Sequence, residues 1–254
     1  MMPAREYATM RRVEDTHWWY RTLRRRVTSD LRHWLAAESA AATILDAGCG
    51  TGGMLEWLGR WGDPRWQLHA VDISPVAVAM CRARGLSRVH EGDVAALPYA
   101  TQTFDAVLSL DVLYGGAVDE AAAVRECHRV LRPGGVALFN CAAYECLRGR
   151  HDMAVGGARR YTPGRLRAVL EDAGFHVVMI HGWNAWAFMP TAVWRRLSRG
   201  GPAESARSDL FQAPAWLDRC VGAVAAADMA LCRWLRHPVG TSLYAVALKD
   251  LDAR

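Results

Sequence analysis

Apolar and polar positions along this chain recur with two different periods, and the switches between them mark out its elements. Residues 12–37 carry apolar positions at helical spacing. Ala42-Thr43-Ile44-Leu45 then opens a first strand, and from there short apolar runs alternate with amphipathic segments. The pattern predicts strands near 66–71, 87–91, 104–110 and 135–141, with helices near 53–60, 75–84, 117–131 and 163–173. Gly174 is placed to close the last of these helices as a C-cap. Residues 176–180 and 241–248 read as two further strands. Such alternation gives an α/β fold, a parallel sheet covered by helices on both faces. Residues 182–240 separate the last two strands by far more than a hairpin needs. They hold Trp183, Trp186, Trp194, Trp216 and Trp234 among helix-like segments, with a polar Gly/Pro/Ser break at 198–208. A helical cap is expected there, its tryptophans walling a pocket or padding a small core.

Bulk properties narrow the setting. The 254 residues suit one domain with such an addition, and 52% apolar with 22% charged residues suits an ordinary water-soluble core. The net charge of +5 is spread along the chain. Its nearest approach to a basic stripe, residues 21–26, is short and sits on a predicted helix, so a solvated helix face is expected and a nucleic-acid partner is not. Seven cysteines without a C-x-x-C pair point to reduced thiols in the cytoplasm and to no metal site. Arg5, Glu6, Arg11 and Arg12 stand where a signal peptide would be apolar. The longest apolar stretch, 221–232, is interrupted by Asp228 and is too short to span a bilayer. A cytoplasmic protein without stable membrane insertion is expected.

The candidate chemistry starts at Asp46-Ala47-Gly48-Cys49-Gly50-Thr51-Gly52-Gly53, between the first strand and the helix after it. Alternating glycines remove side chains where a backbone turns sharply against a ligand, and the following helix points free N–H groups at the same place. Gly48, Gly50 and Gly53 also satisfy G-x-G-x-x-G, so a dinucleotide site is one reading. Three acids weigh against it. Asp46 precedes the glycines, Asp72 closes the second strand and Asp93 closes the third. A diphosphate is ill matched to three carboxylates, whereas S-adenosylmethionine carries a sulfonium, an ammonium, a ribose and an adenine amino group.

These pieces, with Val71-Asp72-Ile73-Ser74-Pro75, Glu91-Gly92-Asp93-Val94, Phe104-Asp105-Ala106-Val107 and the run from Glu126 to Gly135 ending Arg132-Pro133-Gly134-Gly135, resemble the class I S-adenosylmethionine-dependent methyltransferases in order and spacing over residues 42–141. The flanks, including His17-Trp18-Trp19-Tyr20 and His151-Asp152, resemble a broad bacterial branch of that family acting on small molecules. The resemblance implies a Rossmann-like seven-stranded sheet of order 3-2-1-4-5-7-6 with the last strand antiparallel. It implies a single methyltransferase domain made of a helical lid (1–40), a core (41–181), a substrate cap (182–240) and a final strand (241–254). It also implies roles. Gly48, Cys49, Gly50 and Gly52 form the turn under the methionine and ribose; Asp46 sets the charge near the ammonium. Asp72 takes the ribose diol, Ile73 covers an adenine face, Asp93 accepts from the adenine amino group, and the Val94 N–H reaches a ring nitrogen. Leu110 or Asp111 faces the ammonium, and Trp19 and Tyr20 close an aromatic lid. Asp105, at the start of its strand, is expected to be structural.

A sulfonium methyl is already activated, so the protein has to align a nucleophile, exclude water and, where needed, remove a proton. The long connection 142–162 carries His151, Asp152, Arg159, Arg160 and Tyr161. His151 is the candidate base, with Asp152 assisting or with both merely tying the loop down. Arg159 and Arg160 are candidates for holding an acidic group on the substrate, or for ion pairs. Tyr114 is expected to face the transferring methyl, with Tyr161 and the cap's Trp186 along the substrate. Gly115-Gly116 stand where many relatives place a histidine, which shifts weight onto His151. The expectation is methyl transfer to an O, N or C nucleophile of a small, partly apolar acceptor. Alternatives are a cyclisation or rearrangement that only binds S-adenosylmethionine, a lipid-phosphate or glycolipid acceptor, and a non-catalytic partner subunit. The oligomeric state is left open.

Overall fold

The computed structural model describes residues 2–35, 41–197 and 213–251. The polar break at 198–208 and the end of the 1–40 segment lie outside them. Seven strands form one sheet: β1 (Thr43–Ala47), β2 (Gln67–Asp72), β3 (Val89–Glu91), β4 (Phe104–Leu110), β5 (Leu131–Ala142), β6 (Phe175–Trp183) and β7 (Ser242–Lys249). Their order is β3-β2-β1-β4-β5-β7-β6, as expected, and β7 runs antiparallel to both its neighbours. The chain winds outward in one direction through β1, β2 and β3, then returns to the middle and pairs β4 with β1. That reversal opens a crevice at the carboxyl ends of β1 and β4, where ligands of such sheets bind.

Alternation along β1 shows how the core is divided. Ile44 packs into one apolar cluster and its neighbour Leu45 into the other, and both are fully buried. The Leu45 cluster lies under α5 (Glu120–Val130) and α7 (Pro163–Asp172); the Ile44 cluster lies under α2 (Trp18–Trp34), α3 (Gly53–Trp61) and α4 (Pro75–Ala83). Truncating either side chain to alanine costs about 2–5 kcal/mol. Local signals set the helix starts. Ser74 precedes Pro75 and accepts from the Ala77 N–H at 3.4 Å, while Asp119 accepts from Ala122 at 3.0 Å. Gly174 follows α7 with φ of 93°, in the role expected of it. Asp105 is structural as expected: it accepts from the Thr43 N–H and from Arg132.

Three expectations fail. Residues 12–37 are not one helix, because α1 (Ala4–Val13) ends and α2 begins anew after His17, whose ring accepts from the Trp19 N–H at 3.3 Å. The break turns Glu14 inward to Arg24, Arg84 and the Thr51 hydroxyl, contacts that a continuous helix could not deliver. Nor are residues 21–26 a solvated face, since Arg24 is buried on Glu14, while Arg21 pairs with Asp218 and Arg26 with Asp30. Between β6 and β7 lie α8 (Ala185–Leu197) and α9 (Ala215–Leu235). Of the five tryptophans expected to wall a pocket or pad a core, Trp183 is buried and Trp186 borders the crevice, but Trp194, Trp216 and Trp234 face outward.

Candidate active site

The crevice is a cavity of about 710 Å³, roofed by α1, α2, α8 and the connection after β5. Its floor is the turn after β1. Gly48 and Gly50 have φ of 91° and 54°, conformations that cost little only without a Cβ. A Cβ on Gly48 would lie 2.3 Å from a Val112 methyl, and one on Gly50 would lie 2.8 Å from the Met10 methyl. The turn is tied to β2, since the N–H groups of Gly48 and Cys49 both donate to the Val71 carbonyl. Gly52 is left-handed too, but packs on Leu86 and Cys81 as the cap of α3 and does not line the cavity.

Sheet order distributes charge around this floor. Asp93, Asp72, Asp46 and Asp111 follow or end β3, β2, β1 and β4 in turn, and all four line the cavity. Asp72 accepts from the Gly50 N–H and the Ser74 N–H, each at 2.9 Å, and from the Tyr7 hydroxyl at 3.3 Å. Burial raises the Asp72 carboxyl, although those donors oppose the shift. Burial pushes Asp46 up to about 7, helped by the nearby charges of Asp72 and Glu14. Asp111 sits at a φ of 58° and accepts from the Asn140 amide at 2.8 Å; burial pushes it too up to about 7. Ile73, an isoleucine 44% exposed beside Asp72, offers an apolar face within the cavity.

On the far side of β4 the sign reverses. Arg160 is buried at the end of β5, donating to the Ala143 carbonyl at 2.8 Å and to both oxygens of Asp152 at 2.8 and 3.1 Å. Arg195, from α8, lies 3.6 Å from the same carboxylate. Both arginines line the cavity. Against its own burial, Arg160, the Gly149 N–H and the nearby His151 charge hold the Asp152 carboxyl below its usual range.

Comparison with known proteins agrees with this geometry. A family model described as a methyltransferase domain matches residues 45–139. Residues 45–139 therefore carry a methyltransferase domain, set in the sheet order expected of the class I fold. Over 108 residues the chain is 36% identical to the malonyl-acyl-carrier-protein O-methyltransferase of Enterobacter lignolyticus, covering 42% of this chain and 41% of that protein. Over 104 residues it is 38% identical to the ubiquinone biosynthesis O-methyltransferase of Xanthomonas oryzae, covering 38% and 41%. These matches therefore span less than half the length of either relative. The crystal structure of the cyclase SpnF superimposes with a TM-score of 0.57 at 25% identity, covering 89% of this chain and 80% of that one.

Most of the expected site residues meet in the crevice. Asp46, Gly48, Cys49, Gly50, Asp72, Ile73, Asp93, Val94, Leu110 and Asp111 share the cavity with Trp19, Tyr20, Tyr114, His151, Arg160 and Trp186. Trp19 stacks on Trp183 at 5.4 Å between centroids and meets Tyr20 edge-on at 5.1 Å, making one rigid wall. Burial raises the phenols of Tyr20 and Tyr114, which keeps both hydroxyls protonated.

Arg159 and Tyr161, expected along the substrate, stand outside the cavity. Arg159 donates to the carbonyls of Leu113 and Val118, and the fully buried Tyr161 hydroxyl lies 2.5 Å from Glu120 and 3.0 Å from the Leu113 carbonyl. Both lace the connection to the loop after β4. Asp152 accepts from Arg160 and the Gly149 N–H, which ties the loop down, and the nearby His151 charge acts on the same carboxyl. Sequence reasoning missed Tyr7 and Met10 of α1 and Glu14 just past its end, all of which reach the cavity. Their spacing of three and then four residues on one helical face was the available signal.

Proposed function

We propose that this protein transfers the methyl group of S-adenosylmethionine to an oxygen of a small acceptor that is partly apolar and carries an acidic group. The supporting observation is the reversal of charge along one cavity, with carboxylates at the ends of β1 to β4 and two buried arginines beyond β5. The residues present fit the cofactor. Asp46 and Asp111 suit an ammonium, Asp72 suits a diol, Asp93 suits an amino group, and the open face of Ile73 suits a flat ring. A floor that admits no Cβ at Gly48 allows close approach of a ligand to the backbone. Bound there, S-adenosylmethionine supplies a methyl carbon activated by its sulfonium.

The chain's own residues supply the rest. Tyr7, Trp19 and Tyr20 cover the floor and exclude water. Arg160, held rigid by Asp152 and the Ala143 carbonyl, presents a fixed cation to an acidic substituent of the acceptor. His151, on α6 (Arg150–Ala154), lines the same cavity and takes the proton from the acceptor oxygen. An O-acceptor accords with the names of the two curated relatives, a malonyl and a ubiquinone O-methyltransferase. The test is incubation with methyl-labelled S-adenosylmethionine and acidic hydroxy compounds or carboxylic acids. Label in an ester or ether of an acidic acceptor is expected; label only in neutral or amine acceptors rejects the assignment.

A cyclisation or rearrangement is the second reading, favoured by the likeness to the cyclase SpnF. S-adenosylhomocysteine formed in step with product excludes it, and product without S-adenosylhomocysteine establishes it.

A further inference from the structure

The two helices inserted between β6 and β7 are amphipathic the wrong way round for a protein wholly surrounded by water. On α8, the inner face carries Arg195, buried beside Asp152, while Met189, Val193, Trp194 and Leu197 point outward. On α9, both acids turn inward. Asp218 accepts from the Trp18 N–H at 2.8 Å and pairs with Arg21, and Asp228 accepts from the Ala185 N–H at 3.0 Å. The outward stripe of α9 reads Trp216, Cys220, Val224, Ala227, Leu231 and Trp234, at helical spacing over roughly 27 Å. Trp194, Trp216 and Trp234 are 68%, 67% and 79% exposed. An apolar face of this extent marks a docking surface, since isolated exposed leucines are ordinary but a continuous stripe is not.

Charge decides the occupant. Among the described residues, the charged side chains exposed on α8 and α9 are Arg196, Arg219 and Arg233, with no exposed acid. Tryptophan and leucine bordered by arginine is the composition of helices that lie in the headgroup layer of an anionic membrane. No helix among the described residues is long and apolar enough to cross one. The inner side of the same two helices bounds the cavity, through Ala187, Thr191, Arg195 and Val221.

We propose that the outer face of α8 and α9 is a peripheral docking surface for anionic lipid bilayers, which places the cavity mouth where an amphiphilic acceptor partitions. The docking stands on these outward faces alone and holds whichever acceptor is methylated.

The experiment is flotation of the full chain with vesicles of equal parts phosphatidylglycerol and phosphatidylcholine, beside vesicles of phosphatidylcholine alone. Wild type is expected to float with the anionic vesicles and to be released by salt. W194E/W234E should lower partitioning by roughly tenfold or more, through loss of inserted apolar area. R196E/R219E should lower it by roughly fivefold or more for each arginine, on anionic vesicles only. None of these four residues lines the cavity, so S-adenosylhomocysteine affinity by calorimetry should stay at wild type and report an intact fold. Wild type that fails to float, or that floats equally with both vesicle types, overturns the proposal whatever the variants do. So does a wild-type dimer in solution that W194E/W234E converts to monomer without any vesicle binding, since the occupant is then a second copy.

Discussion

The two halves of the cavity are built by different means. On the β1 to β4 side, function sits in backbone shape and in acids at strand ends, so a few residues of sequence carry both. Gly48 must be glycine because Val112 occupies the space of a Cβ, and Asp72, at the end of β2, meets the turn through the Gly50 N–H. On the β5 side, function sits in single side chains on a laced connection, where Arg159 and Arg160 are neighbours with opposite fates. One caps the carbonyls of Leu113 and Val118, and the other lines the cavity. Spacing predicts the first kind of site and is silent about the second.

That contrast can be broken most forcefully at the floor. Gly48→Val should abolish measurable cofactor binding in calorimetry while the protein stays folded, because the new methyls and Val112 contest one space. Wild-type affinity in this variant would mean that the ligand does not approach the turn. On the opposite side the effect should fall on turnover. His151→Ala should lower kcat about 10²–10⁴-fold, the range of general-base catalysis, with S-adenosylhomocysteine affinity unchanged. An unaltered kcat removes His151 from the chemistry.

A third comparison sets the two arginines side by side. Arg160→Met leaves Asp152 buried with one of its cations gone, and should destabilise the fold by about 3 kcal/mol in denaturant titration while raising KM for an acidic acceptor. Arg159→Met should cost about 1 kcal/mol and leave KM alone, since its hydrogen bonds go to carbonyls outside the cavity. Equal KM values in the two variants would erase the distinction between them.

How much of this was legible follows the same divide. The glycine turn and the acids Asp46, Asp72 and Asp93 were readable because short-range turn geometry and strand ends fix them, whereas the sheet order followed from the family resemblance and Asp111 stood only as an alternative to Leu110. Tyr161 was misplaced because its aromatic ring and hydroxyl look alike in a pocket or a core, and only the position of Glu120 decides. Glu14 was missed because its partners Arg24, Arg84 and Thr51 come from three separate elements. The cap tryptophans misled for a related reason. Helical spacing shows that a face is apolar, but not whether the body of the protein lies on that side.

The smallest predicted effect sharpens the electrostatics of the floor. Asp46 and Asp111 are both pushed up to about 7 by burial, and a cation prefers them ionised. Affinity for S-adenosylmethionine should therefore rise by roughly tenfold from about pH 6 to about pH 8, and then level off. Stability of the ligand-free protein should move the opposite way. A carboxyl raised on folding stabilises only while protonated, so the melting temperature should fall as pH climbs from the usual carboxylate range through about 7. A flat affinity profile would show that neither acid changes charge on binding.

The claim beneath all of this is that clustered carboxylates around a glycine turn select a cationic nucleoside over a diphosphate-bridged one. Calorimetric titration of one protein preparation with S-adenosylmethionine and then with NADH tests it most directly. Saturable heat with the sulfonium compound and none with NADH is the predicted result, and tight uptake of NADH with silence toward S-adenosylmethionine contradicts it.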